Sequence, residues 1–315
     1  MKYKIIFPLI LISTLSSCSQ YPLVSRIYPF DSMVEIKLYE GKKNHIDDIE
    51  AILNKIDKLT DNYQARDVYN VYALNKTNEE LTIDKDLYDL LKLSTSFNEE
   101  VSSYFNPLCG SLSKKWKESL KNSQILDKNT INEELLKMNN TSLVYKEDNV
   151  IQRLGEGEID LGGIAKGYAL DKVYDYFKKQ GLTKYLINCG KSSILLGEKN
   201  SRNGLLTIKI DSLKDQYFKL KNCFLSTSGL AVQGKTIEGV TYSHIINPND
   251  GSAFNKHDAV IVISDKGYFG DALSTAMMLN TVDEIKELEI TYNVKTIVID
   301  QGKVTYKHES VELYK

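Results

Sequence analysis

The sequence is poor in the residues that build metal clusters and disulfide frameworks, with four cysteines and four histidines in 315 residues. Cys18 belongs to the N-terminal segment, so Cys109, Cys189 and Cys223 remain, an odd and sparse set for disulfide bonds. No two cysteines have the Cys-x-x-Cys spacing. We therefore expect neither a zinc nor an iron–sulfur site.

Clusters of one charge sign and long apolar stretches are scarce as well. The 40 basic and 42 acidic residues nearly balance and leave a net charge of -2. Without a basic stripe, a nucleic acid is not an expected partner. Beyond the N-terminal run, no stretch is apolar enough to span a bilayer. The remaining length suits a large core, in one domain or in two closely joined subdomains.

The N-terminal segment has the pattern of a secretory signal. Lys2 and Lys4 make its start basic, and residues 5–15 form an apolar run that is too short for a stable membrane span. Small residues follow, and the Leu-Ser-Ser-Cys sequence that ends at Cys18 resembles a bacterial lipobox. The alternative is an ordinary cleaved signal with an incidental cysteine at its end.

The resemblance to a lipobox divides the chain into three parts. It implies a lipoprotein signal peptide over residues 1–17 and acylation of Cys18, with palmitate as an expected fatty acid. Residues 18–29 are predicted to form a tether, which leaves one domain over residues 30–315. The expected location is the extracytoplasmic face of the cell membrane, where the lipid holds the protein.

Hydrophobic periodicity predicts both strands and helices. Apolar and polar residues alternate from Val34 to Leu38, which is the pattern of a half-buried strand. Elsewhere, helical spacing predicts helices over residues 46–59, 86–99, 165–177, 269–280 and 282–288, and β-rich runs predict strands over 185–188, 206–210, 224–227, 244–247 and 259–264. Two further strands are expected to close the chain.

The order of these elements favours an α+β fold. Helices and strands segregate in blocks, which argues against a regular βαβ alternation. Gly181 is placed to end the helix that starts near residue 165. Residues 114–140, rich in Lys, Asn and Glu, are predicted to form an exposed helical excursion that carries no chemistry.

The most informative stretch covers residues 158–171, where glycines, Asp160 and Lys166 crowd the start of an amphipathic helix. Backbone amides, a helix N-terminus and one lysine charge together suit a diphosphate. The third glycine of a dinucleotide-fold fingerprint does not follow Gly155-x-Gly157. A Walker A loop is excluded because Lys166 is followed by Gly167 rather than by Ser or Thr. An ordinary glycine-rich turn before a helix is the alternative.

This stretch resembles the Asp-x-x-Gly-x-x-Ala-Lys-Gly-Tyr signature of the ApbE family, the FAD:protein FMN transferases. Thr227-Ser228-Gly229 and the segment from His244 to Gly251 resemble the Thr-Ser-Gly and His-Ile-Asp-Pro-x-x-Gly elements of that family, in the same order. The resemblance covers roughly residues 30–280. It implies mixed sheets with packed helices and a cleft for FAD and Mg²⁺ between two subdomains.

A magnesium site is predicted near the C-terminus. Asp271 and Thr275 lie four residues apart, so they share one helical face and offer the hard oxygen ligands that Mg²⁺ takes. A helix cap at Asp271 and ordinary packing of Thr275 are the alternative. The resemblance places side-chain metal ligands at these two positions and a main-chain carbonyl ligand at Gly163.

The resemblance also implies which residues bind FAD and assist the reaction. His244 and Lys166 are the expected catalytic residues, with His244 as a proton-transfer or positioning group. Expected FAD contacts are Phe30, Tyr63, Tyr104, Phe105, Asn106, Asp160, Lys166 and His244.

Three positions depart from the family pattern. Phe30-Asp31-Ser32 stands at the family's Met-Gly-Thr, and Asn106 replaces an aspartate. Lys191 replaces the second glycine of Asn-x-Gly-Gly, which puts the local loop shape in doubt because glycine adopts positive φ readily.

The function that the resemblance implies is Mg²⁺-dependent transfer of FMN from FAD to a Thr or Ser of an extracytoplasmic acceptor protein, with release of AMP. Such reactions depend mostly on positioning and charge neutralisation. The alternatives are a Mg²⁺-dependent FAD pyrophosphatase on the same scaffold and a flavin-binding lipoprotein without catalysis. A solute-binding lipoprotein of a transporter would share the lipobox, but would not need both the 160–171 motif and the pair Asp271 and Thr275.

Overall fold

The structure is a computed structural model that describes residues 21–199, 201, 203–210, 213, 216–230 and 234–315. Its helices are α1 (Lys43–Thr60), α2 (Val71–Asn75), α3 (Lys85–Glu100), α4 (Gly110–Lys121), α5 (Lys128–Asn139), α6 (Ala165–Gln180), α7 (Gly267–Met277) and α8 (Val282–Tyr292). Its strands are β1 (Leu23–Ile27), β2 (Val34–Leu38), β3 (Glu80–Thr82), β4 (Ser142–Tyr145), β5 (Val150–Leu154), β6 (Tyr185–Cys189), β7 (Ser193–Leu196), β8 (Leu206–Lys209), β9 (Tyr217–Leu220), β10 (Cys223–Gly229), β11 (Lys235–Ile237), β12 (Val240–Tyr242), β13 (Ala259–Ser264), β14 (Lys295–Asp300) and β15 (Lys303–Lys307).

The largest sheet of the described chain has eight strands in the order β1-β2-β6-β7-β10-β13-β14-β15. Neighbouring strands pair antiparallel throughout. Strand β13 is buried along its whole length because both faces of the sheet are covered. Val260 and Val262 enter the core shared with the helices, whereas Ile261 and Ile263 enter a second core on the opposite face.

Helices α1, α3, α6 and α7 contribute to the first of these cores, with residues such as Leu53, Leu90, Val173 and Leu273. The β8–β9 hairpin covers the other face, where Phe218 is buried. A smaller sheet has the order β3-β5-β4. The chain leaves β5 and reaches α6 through residues 155–164, so the glycine-rich segment connects the two sheets.

The structure confirms the α+β class and most of the predicted elements. Gly181 ends α6 in the left-handed conformation, with φ of 68°. Residues 244–247 are not a strand, which corrects that prediction. They belong to a turn-rich loop, in which the Gly251 amide donates to the Asn247 carbonyl at 2.8 Å. Pro248, which lacks an N–H, lies within this loop.

The predicted tether over residues 18–29 is wrong in its second half. Residues 23–27 form β1, which pairs with β2 at the edge of the large sheet, and Arg26 forms an ion pair with its cross-strand neighbour Glu35 at 2.7 Å. An edge strand exposes much of its surface, so it shows no clear alternation in sequence. Cys18 and the predicted signal peptide over 1–17 lie outside the described residues.

The predicted excursion over residues 114–140 is also corrected in part. It consists of α4 and α5, and α4 buries Leu112, Trp116 and Leu120 rather than standing in solvent. The Trp116 ring stacks on Tyr242 and its indole N–H donates to the Gly251 carbonyl at 2.8 Å. None of the helices in the described ranges is both long and apolar enough to cross a bilayer.

Candidate active site

The site is built around the crossing of α6 and α7, whose backbones touch at Gly167 and Gly267. A Cβ atom on Gly167 would lie 2.1 Å from the Gly267 carbonyl oxygen, and one on Gly267 would lie 2.3 Å from the Gly167 carbonyl oxygen. Only glycine permits this approach at either position. The crossing brings the first turn of α6, with Lys166, next to Asp271 on α7.

Asp271 is a buried carboxylate that accepts hydrogen bonds from both neighbouring layers. The Gly167 amide donates to its Oδ2 at 2.6 Å, and the Ser193 hydroxyl donates to its Oδ1 at 2.8 Å. Ser226 on β10 also hydrogen-bonds the carboxylate. Burial raises the pKa of Asp271, against the Lys166 charge and the hydrogen bonds, which lower it.

Thr275 and Gly163 complete an oxygen-rich corner beside this carboxylate. The Thr275 hydroxyl lies 3.1 Å from the Asp271 carbonyl, to which it donates, and 3.2 Å from the Ser228 hydroxyl. A Cβ atom on Gly163 would lie 3.2 Å from the same Thr275 hydroxyl. The three predicted metal-binding residues therefore converge on one place.

The oxygen atoms of these three residues are suitable ligands for a hard divalent cation. Within the described ranges, no three His, Cys, Asp or Glu residues cluster as ligands, so a cation here would use one carboxylate, one hydroxyl and one carbonyl. A carboxylate has about four acceptor positions, and three hydrogen-bond donors approach that of Asp271. One position is left for a metal, and such oxygen ligands suit Mg²⁺ when water and phosphate oxygens fill the remaining positions.

Lys166 is half-buried and its ammonium group is available to an anion. No other described residue pairs with it through a hydrogen bond or salt bridge. Burial raises the pKa of Asp271 and of Cys189 and lowers that of His244, and the Lys166 charge opposes the two rises and adds to the fall, so all three groups lie near it. A lysine in the first turn of a helix, beside a possible cation site, is well placed for a diphosphate.

His244 lies near Lys166 and Lys117 and is uncharged at neutral pH. The surrounding protein displaces enough water from this partly exposed residue to lower its pKa to about 4, and the charges of Lys166 and Lys117 contribute. A neutral imidazole has one ring nitrogen free to accept a proton. His244 is therefore in the state that a proton acceptor needs.

A profile of the ApbE family matches residues 30–297. The chain belongs to the ApbE family. The FAD:protein FMN transferase of Buchnera aphidicola is 24% identical over 271 residues, which is 82% of this chain and 79% of that protein. The FAD:protein FMN transferase of Klebsiella pneumoniae is 25% identical over 272 residues, which is 81% of this chain and 78% of that protein.

Solved structures of ApbE proteins share this fold. The ApbE protein of Thermotoga maritima superposes with a TM-score of 0.79 at 23% identity, over 92% of this chain and 97% of that one. The flavin transferase ApbE of Vibrio cholerae gives a TM-score of 0.74 at 19% identity, over 92% and 97% of the two chains.

The glycine-rich segment of this ApbE-family chain is held by contacts that sequence analysis missed. The Asn75 amide group donates to the Ile159 carbonyl at 2.9 Å and accepts from the Ile159 amide at 2.7 Å. Next along the chain, the Asp160 carboxylate accepts from the Gly162 amide at 2.8 Å. The sequence alone assigns no role to Asn75, because its partner Ile159 is distant in sequence.

Tyr63 forms a cluster, termed the rim, with two lysines from α4. Lys114 and Lys117 lie over its ring, at 5.5 and 4.8 Å from the centroid, and the Lys117 ammonium donates to the Tyr63 hydroxyl at 3.1 Å. The charge of Lys117 also contributes to the lowered pKa of His244. The segment that was predicted to carry no chemistry thus places two lysines beside Tyr63, of which Lys114 is paired with Glu158 at 2.7 Å.

Three predicted site residues lie in the loop before α4, and one of them contacts the glycine-rich segment. Phe105 is buried edge-on against Phe97 and reaches the backbone at Gly163, where an added Cβ would lie 3.3 Å from its ring. Asn106 accepts a hydrogen bond from the Leu108 amide at 2.9 Å, so its side chain shapes the turn. Tyr104 is half-buried against the main core.

Phe30 lies outside the cluster just described. It packs partly on the main core, adopts φ of 57° and donates its amide to the Asp57 carboxylate at 2.7 Å. No hydrogen bond within the described chain joins Phe30 to another predicted site residue.

The loop at Lys191 keeps a glycine-like backbone, with φ of 65°, although lysine replaces the glycine of the family pattern. The doubt about its shape is thereby removed at a cost in backbone strain.

Ser193, Ser226 and Ser228 are the side chains that hold Asp271 and Thr275 against the sheet, and sequence analysis did not single out the first two. Ser226 and Ser228 alternate along β10, so both face α7. The spacing of Ser226 and Ser228 on this strand was the sequence signal that could have placed both on one polar face. Ser193 lies on β7, next to β10 in the sheet, and had no such signal.

Proposed function

We propose that this chain is a FAD:protein FMN transferase that uses Mg²⁺ and modifies a Thr or Ser of an extracytoplasmic acceptor protein. The observation that carries the proposal is the meeting of Lys166, at the start of α6, with the oxygen donors Asp271, Thr275 and Gly163. A diphosphate needs cationic partners on its oxygens, and this corner supplies one lysine and a place for a divalent cation. The names of the relatives support the same reaction.

The proposed reaction breaks the phosphoanhydride bond of the FAD diphosphate and forms a phosphate ester bond to the acceptor. The hydroxyl oxygen of the acceptor forms a bond to the phosphorus on the FMN side of FAD. The bond between that phosphorus and the bridging oxygen breaks, and AMP leaves with the electron pair. The hydroxyl proton passes to His244 or to water. Positioning and charge neutralisation provide most of the acceleration in such transfers.

Each residue of the chain has a separate role in this proposal. Lys166 binds the diphosphate through its charge, and Asp160 orients the glycine-rich segment by fixing the Gly162 amide. Asp271, Thr275 and the Gly163 carbonyl would hold Mg²⁺, which neutralises the diphosphate and the charge that develops on the leaving AMP. His244, neutral near pH 7, accepts the proton of the attacking hydroxyl.

The rim formed by Tyr63, Lys114 and Lys117 supports a site for a flavin nucleotide or for the acceptor. A half-exposed tyrosine ring offers a face on which an aromatic ring can stack. The buried Phe105 ring packs against the Gly163 backbone next to Thr275, so it supports the wall of the proposed cation site. Tyr104, Asn106 and Phe30 contribute through the shape of their loops in this proposal rather than through a direct contact.

Product analysis tests the proposal against its alternatives. The purified full chain is incubated with FAD, Mg²⁺ and an extracytoplasmic protein fraction from cells that lack the chain. We expect a Thr or Ser peptide that carries FMN in tandem mass spectrometry, with one AMP released per FMN attached. Free FMN and AMP without a labelled peptide would indicate a pyrophosphatase. Intact bound FAD would indicate a flavin-binding lipoprotein, and no flavin binding would refute a flavin-dependent function.

We also propose that a lipid on Cys18 anchors the protein to the extracytoplasmic face of the membrane. Strand β1 begins at Leu23, five residues after Cys18, and five residues span at most about 18 Å. The lipid would therefore hold the β1 edge of the large sheet close to the bilayer surface. This short connection replaces the longer tether that the sequence suggested.

A further inference from the structure

The first turns of α6 and α7 are capped by each other rather than by their own N-cap residues. Ile164 and Lys266, the N-cap residues of the two helices, provide no side-chain hydrogen bond. Instead, Asp171 of α6 accepts from the amides of Gly267 and Tyr268, both at 2.8 Å. In return, Asp271 of α7 accepts from the Gly167 amide of α6.

Sequence spacing makes this arrangement symmetrical. Gly167 and Asp171 are four residues apart on α6, and Gly267 and Asp271 are four residues apart on α7. Each helix therefore presents a glycine in its first turn and an aspartate one turn later on the same face. The glycines touch, and each aspartate reaches the first turn of the other helix.

The contact between Gly167 and Gly267 has no side chains that would fix the register of α6 along α7. Side chains that interlock usually set this register, but at Gly167 and Gly267 there are none. The two carboxylates supply the missing constraint. A serine or threonine cap would accept one amide, whereas the two oxygens of Asp171 accept two at once.

We propose that Asp171 is a positioning residue for the cation site: by holding the first turn of α7, it keeps Asp271 and Thr275 opposite Gly163. The inference rests on the proposed function, since it assumes that Asp271 and Thr275 bind the cation. Loss of the two hydrogen bonds from Asp171 lets α7 shift against α6. The oxygen donors then no longer converge, although none of them has been changed.

Metal binding, measured without turnover, tests this role. Mn²⁺ serves as the probe, with free Mn²⁺ counted by electron paramagnetic resonance in solutions of the full chain in detergent. For Asp171→Asn we expect Mn²⁺ affinity to fall by about tenfold or more, the range known for residues that orient metal ligands. FAD affinity in EDTA should change by less than about twofold, because Lys166 remains in place.

Thr281→Ala provides a matched control. Thr281 caps α8 through the Glu284 amide, away from the α6–α7 crossing. Its loss should lower the melting temperature, as cap removal does, but leave Mn²⁺ affinity unchanged. Asp171→Ser, whose hydroxyl lies closer to its own backbone than the carboxylate oxygens do, should lose Mn²⁺ affinity at least as strongly as Asp171→Asn and gives the same information if Asp171→Asn does not fold.

The outcomes separate the two proposals. If folded Asp171→Asn and Asp171→Ser bind Mn²⁺ like the wild type while Asp271→Asn does not, Asp171 is only a helix cap and the positioning role is refuted, whereas the cation site stands. If the wild type itself binds no Mn²⁺, the cation site of the proposed function fails and the positioning role fails with it.

Discussion

Asp171 and Asp271 each accept a hydrogen bond from the first turn of the helix that carries the other. This reciprocal pair brings two carboxylates close together at the point where the glycine-rich segment enters α6. Burial raises the pKa of Asp171 to about 6, and the Asp271 charge contributes. The repulsion between the two carboxylates is unfavourable, but their hydrogen bonds fix the register between α6, which carries Lys166, and α7, which carries Asp271.

Lys166→Ala should weaken FAD binding without unfolding the chain. It removes one charge-assisted contact to the diphosphate, which contributes about 1.5 to 3 kcal/mol in a partly shielded site. Titration of flavin fluorescence in EDTA measures the dissociation constant. Lys178→Ala, on the exposed side of the same helix, is the control and should bind FAD like the wild type. If both variants bind equally well, Lys166 does not contact FAD.

His244 should titrate far below an ordinary histidine in the FAD-free protein. Its ring signals in NMR, assigned by their loss in His244→Asn, should move with a midpoint near pH 4 rather than at 6.5. Between these two values the unfolded chain binds more protons at this site than the folded chain. The stability that His244 contributes is thus present above pH 6.5 and is lost as the pH falls towards 4.

Unfolding in urea at pH 7 and pH 5 measures whether the free energy of unfolding falls as His244 becomes protonated. His244→Asn should lose less stability than the wild type between the two pH values, because the asparagine has no proton to bind. A ring that titrates near 6.5, or a variant with the same pH dependence as the wild type, would show that burial and the lysine charges do not lower the pKa of His244.

Lys191→Gly should stabilise the fold. A non-glycine residue at φ of 65° carries a strain of about 1 kcal/mol or more. The greater freedom of glycine in the unfolded chain offsets part of this gain, so the free energy of unfolding should rise by up to about 1 kcal/mol in urea titrations. Gly181→Ala is the converse control: it introduces a side chain at φ of 68° with free space around it and should destabilise. A destabilised Lys191→Gly would mean that contacts of the lysine outweigh the strain.

Cys18→Ser should release the protein from the membrane and leave the activity of the released form intact, because the lipid tethers and takes no part in the chemistry. Fractionation and the mass of the N-terminal peptide check this. Unchanged membrane association together with an unchanged N-terminal mass would contradict lipidation at Cys18.

The parts of the fold that follow a local pattern were predictable from the sequence. Helix α6 combines apolar residues at helical spacing with a terminal glycine, and strand β2 alternates between Val34 and Leu38. Strand β1 was missed because an edge strand has no face that is fully buried. The run from His244 to Asn247 predicted a strand because isoleucine favours β-structure, but hydrogen bonds around Pro248 fold it into a turn.

The site could be predicted only where the sequence carries a motif. Lys166, Asp271 and Thr275 lie in recognisable motifs, and the structure brings them together with Gly163. Asn75 and Ser193 were missed because their partners are more than 70 residues away in sequence. Such long-range contacts depend on topology, which short-range patterns do not encode.

The central claim is that Asp271 binds the cation that transfer requires, and FMN transfer by Asp271→Asn across a Mg²⁺ series tests it most directly. The variant keeps the shape and one acceptor oxygen but removes a full negative charge. We predict a folded protein whose FMN transfer falls far more than its FAD binding, with a higher Mg²⁺ requirement than the wild type. A variant with a lowered melting temperature but normal transfer at saturating Mg²⁺ would show that Asp271 only caps a helix, and would contradict the account.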